Sequence, residues 1–227
     1  MMIFNVTDRY NPLEAFLFDF LVAEAVLGTL GEFKGDILAS AGPSARILDV
    51  GCGGGQLALA LEREGNGLSV TGLDLSLGQL GRARGRARKA GAQASFVRAT
   101  ALGLPFADES FDLVCSVDCL KHWPHRGVGL SECVRVLKPG GTLLLTEVDR
   151  KCPVRTGLRF VRQWNVPFFL KPFSLVPFFL FAVLRSVTRE EALVLAQPLP
   201  LDGVRVETGP AGVNWTLKGT KRRNPAG

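Results

Sequence analysis

The chain has 227 residues, of which 47% are hydrophobic and 21% are charged, and its formal net charge is +6. This length suits one α/β domain, and the high apolar fraction excludes a disordered chain. The positive charge favours an anionic partner, such as a membrane surface or an acidic substrate. Since the sequence carries no nucleic-acid-binding motif, we expect no nucleic-acid partner.

Targeting and crosslinking features point to a cytoplasmic protein. The first residues lack the basic start and apolar stretch of a secretory signal. The longest apolar stretch near the C-terminus, Leu175 to Leu184, is shorter than the roughly 20 residues of a spanning helix and contains Pro177. Five cysteines at irregular spacing do not form a disulfide framework, so we expect reduced thiols.

The chain is predicted to form one domain that begins with a helical cap over residues 1–45. Its helical pattern starts at Pro12, a residue favoured in the first turn, with Tyr10 at the entry. Residues 46–149 alternate between strand and helix patterns, which indicates a parallel, doubly wound sheet. The predicted strands are Arg46–Val50, Ser69–Leu73, Ala94–Arg98, Phe111–Ser116 and Gly141–Glu147, and the predicted helices are Gln56–Glu64, Leu77–Ala90 and Gly129–Leu137.

Residues 150–189 differ in composition from the rest and are predicted to be an insertion after the fifth strand. They contain eight basic residues, no acidic residue and seven of the fifteen phenylalanines. Four prolines in this segment prevent one long helix. Three interpretations stay open: a structural cover over the sheet, a lid that forms an apolar acceptor pocket, or a segment that lies on an anionic membrane.

Residues 190–227 are predicted to form a terminal helix and hairpin. Thr188 and Glu191 have the spacing of a capping box that opens the helix. Val204–Glu207 and Asn214–Gly219 flank a Gly-Pro-Ala-Gly stretch, which is typical of an antiparallel hairpin.

The most informative motif, Asp49-Val50-Gly51-Cys52-Gly53-Gly54-Gly55, follows the first predicted strand. Glycines permit positive φ angles and let a ligand approach the backbone closely. The helix start that follows offers unpaired amides to a carboxylate. A dinucleotide-binding loop would carry its third glycine where Gln56 stands, which disfavours a nucleotide-dependent oxidoreductase. The pattern D-x-G-x-G-x-G resembles the signature loop of class I S-adenosylmethionine-dependent methyltransferases.

Three further motifs agree with this resemblance over residues 46–147. Asp74 ends the second predicted strand; alone it could cap a helix, but beside the glycine loop it indicates a carboxylate for ribose hydroxyls. Residues 96–106 resemble the adenine-contacting loop of the family, with Thr100 where an acidic residue is usual. A Pro-Gly-Gly turn, Pro139–Gly141, precedes the fifth strand, as is common in the family. The sequence is similar to the branch that includes quinone-biosynthesis methyltransferases.

The resemblance implies a seven-stranded Rossmann-like sheet, mostly parallel with an antiparallel C-terminal hairpin, and S-adenosylmethionine as the cofactor. By analogy with the family, the glycine loop and Asp49 hold the methionine part, Asp74 accepts the ribose hydroxyls, and His122 is the first candidate base, with Asp118 beside it. The implied cofactor-binding residues are Asp49, Gly51, Gly53, Gly55, Asp74, Leu75, Thr100, Ala101, Leu102 and Ser116.

Two other patterns have simpler explanations. Cys115, Cys119, His122 and His125 are spaced C-x3-C-x2-H-x2-H, but this spacing matches no common zinc module, so we expect no metal. The basic run Arg82–Lys89 is interleaved with small residues rather than aromatic ones, which favours a solvated helix face over a nucleic-acid surface.

The sequence therefore predicts methyl transfer to a small, apolar acceptor. Such an enzyme mainly has to align its two substrates and exclude water. Two alternatives remain: a non-catalytic scaffold subunit that binds S-adenosylmethionine or another nucleoside, and a membrane-associated lipid or quinone methyltransferase with peripheral contact through residues 150–189.

Overall fold

The computed structural model describes residues 31–64, 67–164, 166–167, 169, 171–209 and 211–223. Most of the predicted N-terminal cap, including Tyr10 and Pro12, lies outside the described residues. The final part of the cap forms helix α1 (Gly31–Ser40), whose Phe33 and Ile37 are buried.

Within the described residues, seven strands form one sheet in the order β3-β2-β1-β4-β5-β7-β6. Strands β1 to β5 pair in parallel, and β7 is antiparallel to both of its neighbours. The predicted mostly parallel sheet with an antiparallel C-terminal pair is therefore confirmed. The strands are β1 Arg46–Val50, β2 Ser69–Asp74, β3 Ser95–Arg98, β4 Phe111–Val117, β5 Leu137–Val148, β6 Leu201–Thr208 and β7 Asn214–Lys221.

Helices cover both faces of the sheet, as alternating strands and helices require. Ile37 and Leu61 belong to the apolar cluster on one face, and Leu130 and Ala196 belong to the cluster on the other. The helices that pack on the sheet after α1 are α2 Gln56–Arg63, α3 Leu77–Ala90, α4 Arg126–Val136 and α7 Arg189–Ala196.

Strand β5 begins at Leu137, four residues before the predicted start at Gly141. Leu137 pairs with Phe111, and the register then shifts so that Leu113 lies opposite Thr142. Gly140 has a φ of 81°, and a Cβ on Gly141 would lie only 2.8 Å from the carbonyl oxygen of Lys138. The Pro-Gly-Gly stretch is thus a bulge inside β5, and the predicted turn before the strand was wrong.

The segment after β5 contains α5 (Val154–Val161), α6 (Lys171–Pro177) and a π-helix (Phe178–Val183) that directly continues α6. The prediction that it is not one long helix is confirmed. Helix α5 crosses the π-helix at Gly157, where a Cβ would lie 2.8 Å from the ring of Phe179. The rings of Phe160 and Phe178 are buried with their centroids 5.3 Å apart, so part of this segment extends the core. No described helix is long and apolar enough to cross a membrane.

Candidate functional site

The glycine loop joins β1 to α2 and is bound to the neighbouring strand. Gly51, Gly53 and Gly55 have φ angles of 81°, 51° and 77°, which side chains strongly disfavour. The amides of Gly51 and Cys52 donate to the carbonyl of Leu73 at 2.7 and 2.9 Å. The loop therefore lies over the carboxyl ends of β1 and β2.

The three glycines have different steric surroundings. A Cβ on Gly51 would lie 2.2 Å from Sγ of Cys119, and one on Gly55 would lie 2.9 Å from the side chains of Ala83 and Phe96. A Cβ on Gly53 would meet no atom within 4 Å. Packing thus excludes side chains at the outer two glycines, whereas Gly53 borders open space that a ligand can enter.

Asp74 lies at the end of β2 and holds the glycine loop. Its Oδ2 accepts from the amide of Gly53 at 2.9 Å, and its Oδ1 accepts from the amide of Ser76 at 2.8 Å. Burial raises the pKa of Asp74, and the hydrogen bonds from backbone amides partly offset this. Ser76, not Asp74, caps α3, because its hydroxyl accepts from the amide of Gln79 at 3.3 Å. Each carboxylate oxygen of Asp74 has a further lone pair for a ligand hydroxyl.

Asp49 lies in β1, deeply buried below the loop. Its side chain is 2% exposed, and Oδ2 has no hydrogen-bond donor in the described part of the chain. Burial raises the pKa of Asp49 to about 7, and the charge of Asp74 adds to this shift. A buried oxygen without a donor is destabilising, so a cationic ligand group here would be favourable. The ammonium group of S-adenosylmethionine would supply such a donor, and its sulfonium would add positive charge nearby.

The predicted adenine-contacting residues follow β3 and lie beside Asp74. The amide of Ala99 donates to the carbonyl of Asp74 at 3.3 Å. The hydroxyl oxygen of Thr100 accepts from the amide of Leu102 at 3.2 Å, which closes a tight turn. Ala101 is buried in this turn, while Leu75 and Leu102 are half-buried. The structure thus brings the three predicted cofactor motifs together at one edge of the sheet.

Ser116 and Asp118, the residues expected at the methionine end, make contacts within the fold. The hydroxyl of Ser116 donates to the carbonyl of Val50 at 2.7 Å and joins β4 to β1 just before the glycine loop. Asp118 has a φ of 52°, and its Oδ1 accepts from the amide of Val148 at 3.0 Å. Both residues support the carboxyl edge of the sheet, and their contact with a cofactor stays a prediction.

Sequence reasoning missed a buried ion-pair cluster at this edge. Nζ of Lys121 lies 2.5 Å from Oε1 of Glu147 and 3.3 Å from Oδ1 of Asp118. The side chains of Lys121 and Glu147 are 5% and 1% exposed. The position of Glu147 inside the predicted strand, two residues after the apolar run Leu143–Leu145, was a signal that could have identified it, because charges are rarely buried without a partner.

The ammonium of Lys121 contacts two carboxylates in this cluster, the buried one of Glu147 and the half-buried one of Asp118. Burial opposes the ionisation of Asp118, but Lys121 and hydrogen bonds hold its pKa below the usual range. Burial raises the pKa of Glu147, Lys121 offsets this only in part, and Asp118 raises it further. The cluster therefore favours one ionised carboxylate beside Lys121 and a proton on or near the other.

His122 ends a short 3₁₀ helix (Leu120–His122) after β4. Burial and the positive charges of Lys121 and Arg185 lower the pKa of His122 to about 3, against an opposing effect of Asp118. The imidazole is therefore neutral at pH 7 and holds an added proton weakly. The role of His122 as a base stays a prediction, and this low pKa opposes it.

The four residues of the C-x3-C-x2-H-x2-H pattern are divided between β4, the 3₁₀ helix after it and the start of α4. Cys115 is fully buried within β4. Among the described residues, no group of three or more histidine, cysteine or acidic side chains could hold a metal ion.

Comparisons with known proteins agree with this geometry. Residues 48–145 match the model of a family described as Methyltransferase domain. The chain aligns over its whole length with a putative S-adenosyl-L-methionine-dependent methyltransferase of Methanococcus maripaludis of known structure, at 17% identity, a TM-score of 0.71 and full coverage of both chains. Residues 48–145 are thus similar to a methyltransferase domain, and the chain has the fold of class I methyltransferases.

Two curated proteins resemble the same region. Methyltransferase GfsG of Streptomyces halstedii is 41% identical over 105 residues, which are 45% of this chain and 37% of that protein. The ubiquinone biosynthesis O-methyltransferase of Dinoroseobacter shibae is 36% identical over 123 residues, 52% of this chain and 49% of that protein. The chain thus spans half or less of the length of these relatives.

Proposed function

We propose that this chain is an S-adenosylmethionine-dependent methyltransferase that methylates a small, apolar acceptor. The observation that carries the proposal is Oδ2 of Asp49, a buried carboxylate oxygen without a donor among the described residues. It lies near Asp74 and below a glycine loop that borders open space. A cationic nucleoside explains all three features, whereas the pyrophosphate of a dinucleotide at the glycine loop would be repelled by the ionised carboxylate of Asp49.

The residues of the chain bind and orient rather than react covalently. When bound, S-adenosylmethionine supplies an electrophilic methyl carbon on a sulfonium. Asp49 would pair with the cationic methionine part, and Asp74 would accept ribose hydroxyls while it holds the amide of Gly53. The half-buried Leu75 and Leu102 would cover the adenine and exclude water. Alignment and dehydration of the reactants provide the main rate advantage in such a transfer.

Support for an apolar acceptor comes from the segment after β5, which lies next to the candidate site. A bridge between Asp149 and Val187 closes this segment at the end of β5, and Arg126 donates to the carbonyl of Arg185 at 3.3 Å. Ligands of α/β sheets bind beyond the carboxyl ends of the strands. An acceptor here would meet a phenylalanine-rich segment without acidic residues. One relative is named for ubiquinone biosynthesis, which agrees with an apolar acceptor.

Calorimetry with S-adenosylmethionine, S-adenosylhomocysteine and NAD tests the cofactor. We expect the two sulfur nucleosides to bind and NAD not to bind. A turnover assay with a labelled methyl donor and a panel of small acceptors and lipid extracts then tests the reaction. Binding without any turnover would favour a scaffold subunit, and binding of NAD alone would contradict the proposal.

A further inference from the structure

The segment after β5 presents a continuous apolar face to solvent, here called the outer face. Val176 is 61% exposed and Phe173 is 73% exposed, whereas Phe178 on the opposite side is 2% exposed. From Phe173 to Leu184 its members recur mostly every three or four residues, which places them on one side of the α6 and π-helix segment, and Phe169 precedes this segment. The outer face consists of Phe169, Phe173, Val176, Leu180, Phe181 and Leu184, six of the eleven exposed large apolar side chains among the described residues.

Cationic side chains border the outer face. Arg155, Arg159 and Arg162 are exposed at helical spacing on the side of α5 opposite the buried Phe160. None of them takes part in the ion pairs found among the described residues. Nζ of Lys171 donates to the carbonyl of Arg162 at 2.6 Å, so these arginines adjoin the start of the outer face.

A further cation lies at the other end of the same face. The guanidinium of Arg185 is 4.9 Å from the centroid of the Phe181 ring. The basic residues at the edges of the segment are used differently: Arg150 and Lys151 pair with Glu191 and Glu190. The cations around the outer face are thus distinct from those that fasten the segment to α7.

An exposed apolar face with a cationic border and no acidic residue matches the surface of an anionic bilayer. Apolar side chains enter the boundary between headgroups and acyl chains, while arginines attract anionic lipids. The α6 and π-helix segment has seven and six residues, so at about 1.5 Å per residue it is roughly 20 Å long, too short to span about 30 Å of hydrocarbon. We propose that the outer face docks in the plane of an anionic membrane surface.

Docking does not depend on the proposed methyl transfer, so it can fail or succeed separately. Co-sedimentation of the full chain with vesicles tests it without any cofactor. We expect binding to phosphatidylcholine vesicles that contain about one quarter phosphatidylglycerol, weaker binding when salt rises from about 0.1 to about 0.5 M, and much weaker binding to phosphatidylcholine alone.

Two serine substitutions separate this face from general surface hydrophobicity. Val176→Ser should weaken vesicle binding about tenfold, because it removes an apolar side chain from the lipid boundary. Val194→Ser is the matched control, since Val194 on α7 is also 61% exposed. The control should bind like the wild type. Equal binding by both variants and the wild type would overturn the proposal, provided that thermal unfolding shows both are folded.

Charge reversal distinguishes an effect of the cationic border on vesicle binding from an effect of net charge. The triple variant Arg155→Glu, Arg159→Glu and Arg162→Glu should lower binding at least about a hundredfold, at roughly fivefold or more per charge. The triple variant Arg63→Glu, Arg88→Glu and Lys89→Glu changes net charge equally at other exposed positions. Equal losses in both triples would overturn the proposal. So would sedimentation showing that the wild type forms a dimer that Val176→Ser dissociates, since a second copy would then occupy the face.

Discussion

The amide of Gly53 donates to Oδ2 of Asp74 at 2.9 Å, and this bond joins the glycine loop after β1 to the end of β2. Two motifs that are separate in the sequence therefore form one structural unit. We therefore expect a change to the carboxylate of Asp74 to alter both the conformation of the loop and the binding of the proposed nucleoside.

Asp74→Ala should weaken the binding of S-adenosylmethionine by roughly 1.5–3 kcal/mol, because hydrogen bonds to a charged acceptor are lost. It also leaves the amides of Gly53 and Ser76 without their acceptor. Calorimetry measures the affinity, and thermal unfolding measures the effect on the loop. Asp74→Asn is the matched variant, and it should bind with an intermediate affinity. An unchanged affinity in Asp74→Ala would be evidence against this site.

Thr100→Asp should tighten cofactor binding by about three- to tenfold, because a charged acceptor makes a stronger hydrogen bond than a hydroxyl. The turn should tolerate the change, since an aspartate oxygen can also accept from the amide of Leu102. Two comparisons are measured: the dissociation constant of S-adenosylhomocysteine from Thr100→Asp, and the dissociation constant of S-adenosylmethionine from the uncharged variant Thr100→Asn. Weaker binding by Thr100→Asp would show that the adenine edge is contacted in another way.

Alanine at Gly53 and Gly55 should separate binding from folding. Gly53→Ala places an alanine in a left-handed backbone conformation, which lowers the free energy of unfolding by about 1–2 kcal/mol. The added Cβ meets no atom within 4 Å. Its main effect should be a loss of cofactor affinity, because the methyl group enters the open space beside the loop. Gly55→Ala should mainly lower the free energy of unfolding, since its Cβ would clash with Phe96 and Ala83. Normal affinity in Gly53→Ala would show that the ligand does not enter this space.

Cofactor binding should depend on pH through Asp49, whose pKa is raised to about 7 by burial. Because this pKa is higher in the folded state than in the unfolded state, the folded protein holds a proton on Asp49 that the unfolded chain has lost. The contribution of Asp49 to the free energy of unfolding therefore falls as pH rises from about 4 to about 7. A cationic ligand favours the ionised carboxylate. Affinity should therefore increase from about pH 5.5 to 7.5, with proton release upon binding.

Calorimetry in two buffers of different ionisation enthalpy measures this release. Asp49→Asn should bind more weakly and release no proton from this position. The same release in Asp49→Asn and in the wild type would assign the effect to another group.

Lys121→Met should lower the free energy of unfolding by about 3–5 kcal/mol, because it leaves the buried carboxylate of Glu147 and the half-buried one of Asp118 without their cation. Lys121 contacts Asp118 and Glu147 directly. Adding Glu147→Gln should restore part of the loss, since only the half-buried carboxylate of Asp118 then remains. Urea unfolding of Lys121→Met, Glu147→Gln and the double variant measures the coupling. A double variant as unstable as the sum of the two single variants would show that the three groups are independent.

The edge of the sheet that carries the candidate site was predictable because its residues follow strands directly. Asp49 lies opposite Gly72 in the parallel pair of β1 and β2, so both strands end at the same edge and bring Asp74 beside the glycine loop. Buried parallel strands also have a strong apolar signature, as at Leu48 and Leu144, which are 0% exposed.

The ion-pair cluster and the arrangement of the phenylalanines were not predictable in this way. Lys121 meets Glu147 because β4 and β5 pair with Val117 opposite Thr146, a register that depends on the bulge at Gly140. Composition also does not distinguish the buried Phe178 from the exposed Phe173. That distinction depends on the crossing at Gly157, where two helices come close together.

Strand order has a consequence for synthesis on the ribosome. β7 is made after β6 but lies between β5 and β6 in the sheet. Until Asn214–Lys221 has emerged, β5 has no neighbour on that side and β6 has nothing to pair with. A nascent chain that stalls before this point presents the apolar edge of β5 to other chains, which favours aggregation. The parallel strands β1 to β5 can pair during translation, but the antiparallel part of the sheet can form only after β7 has emerged.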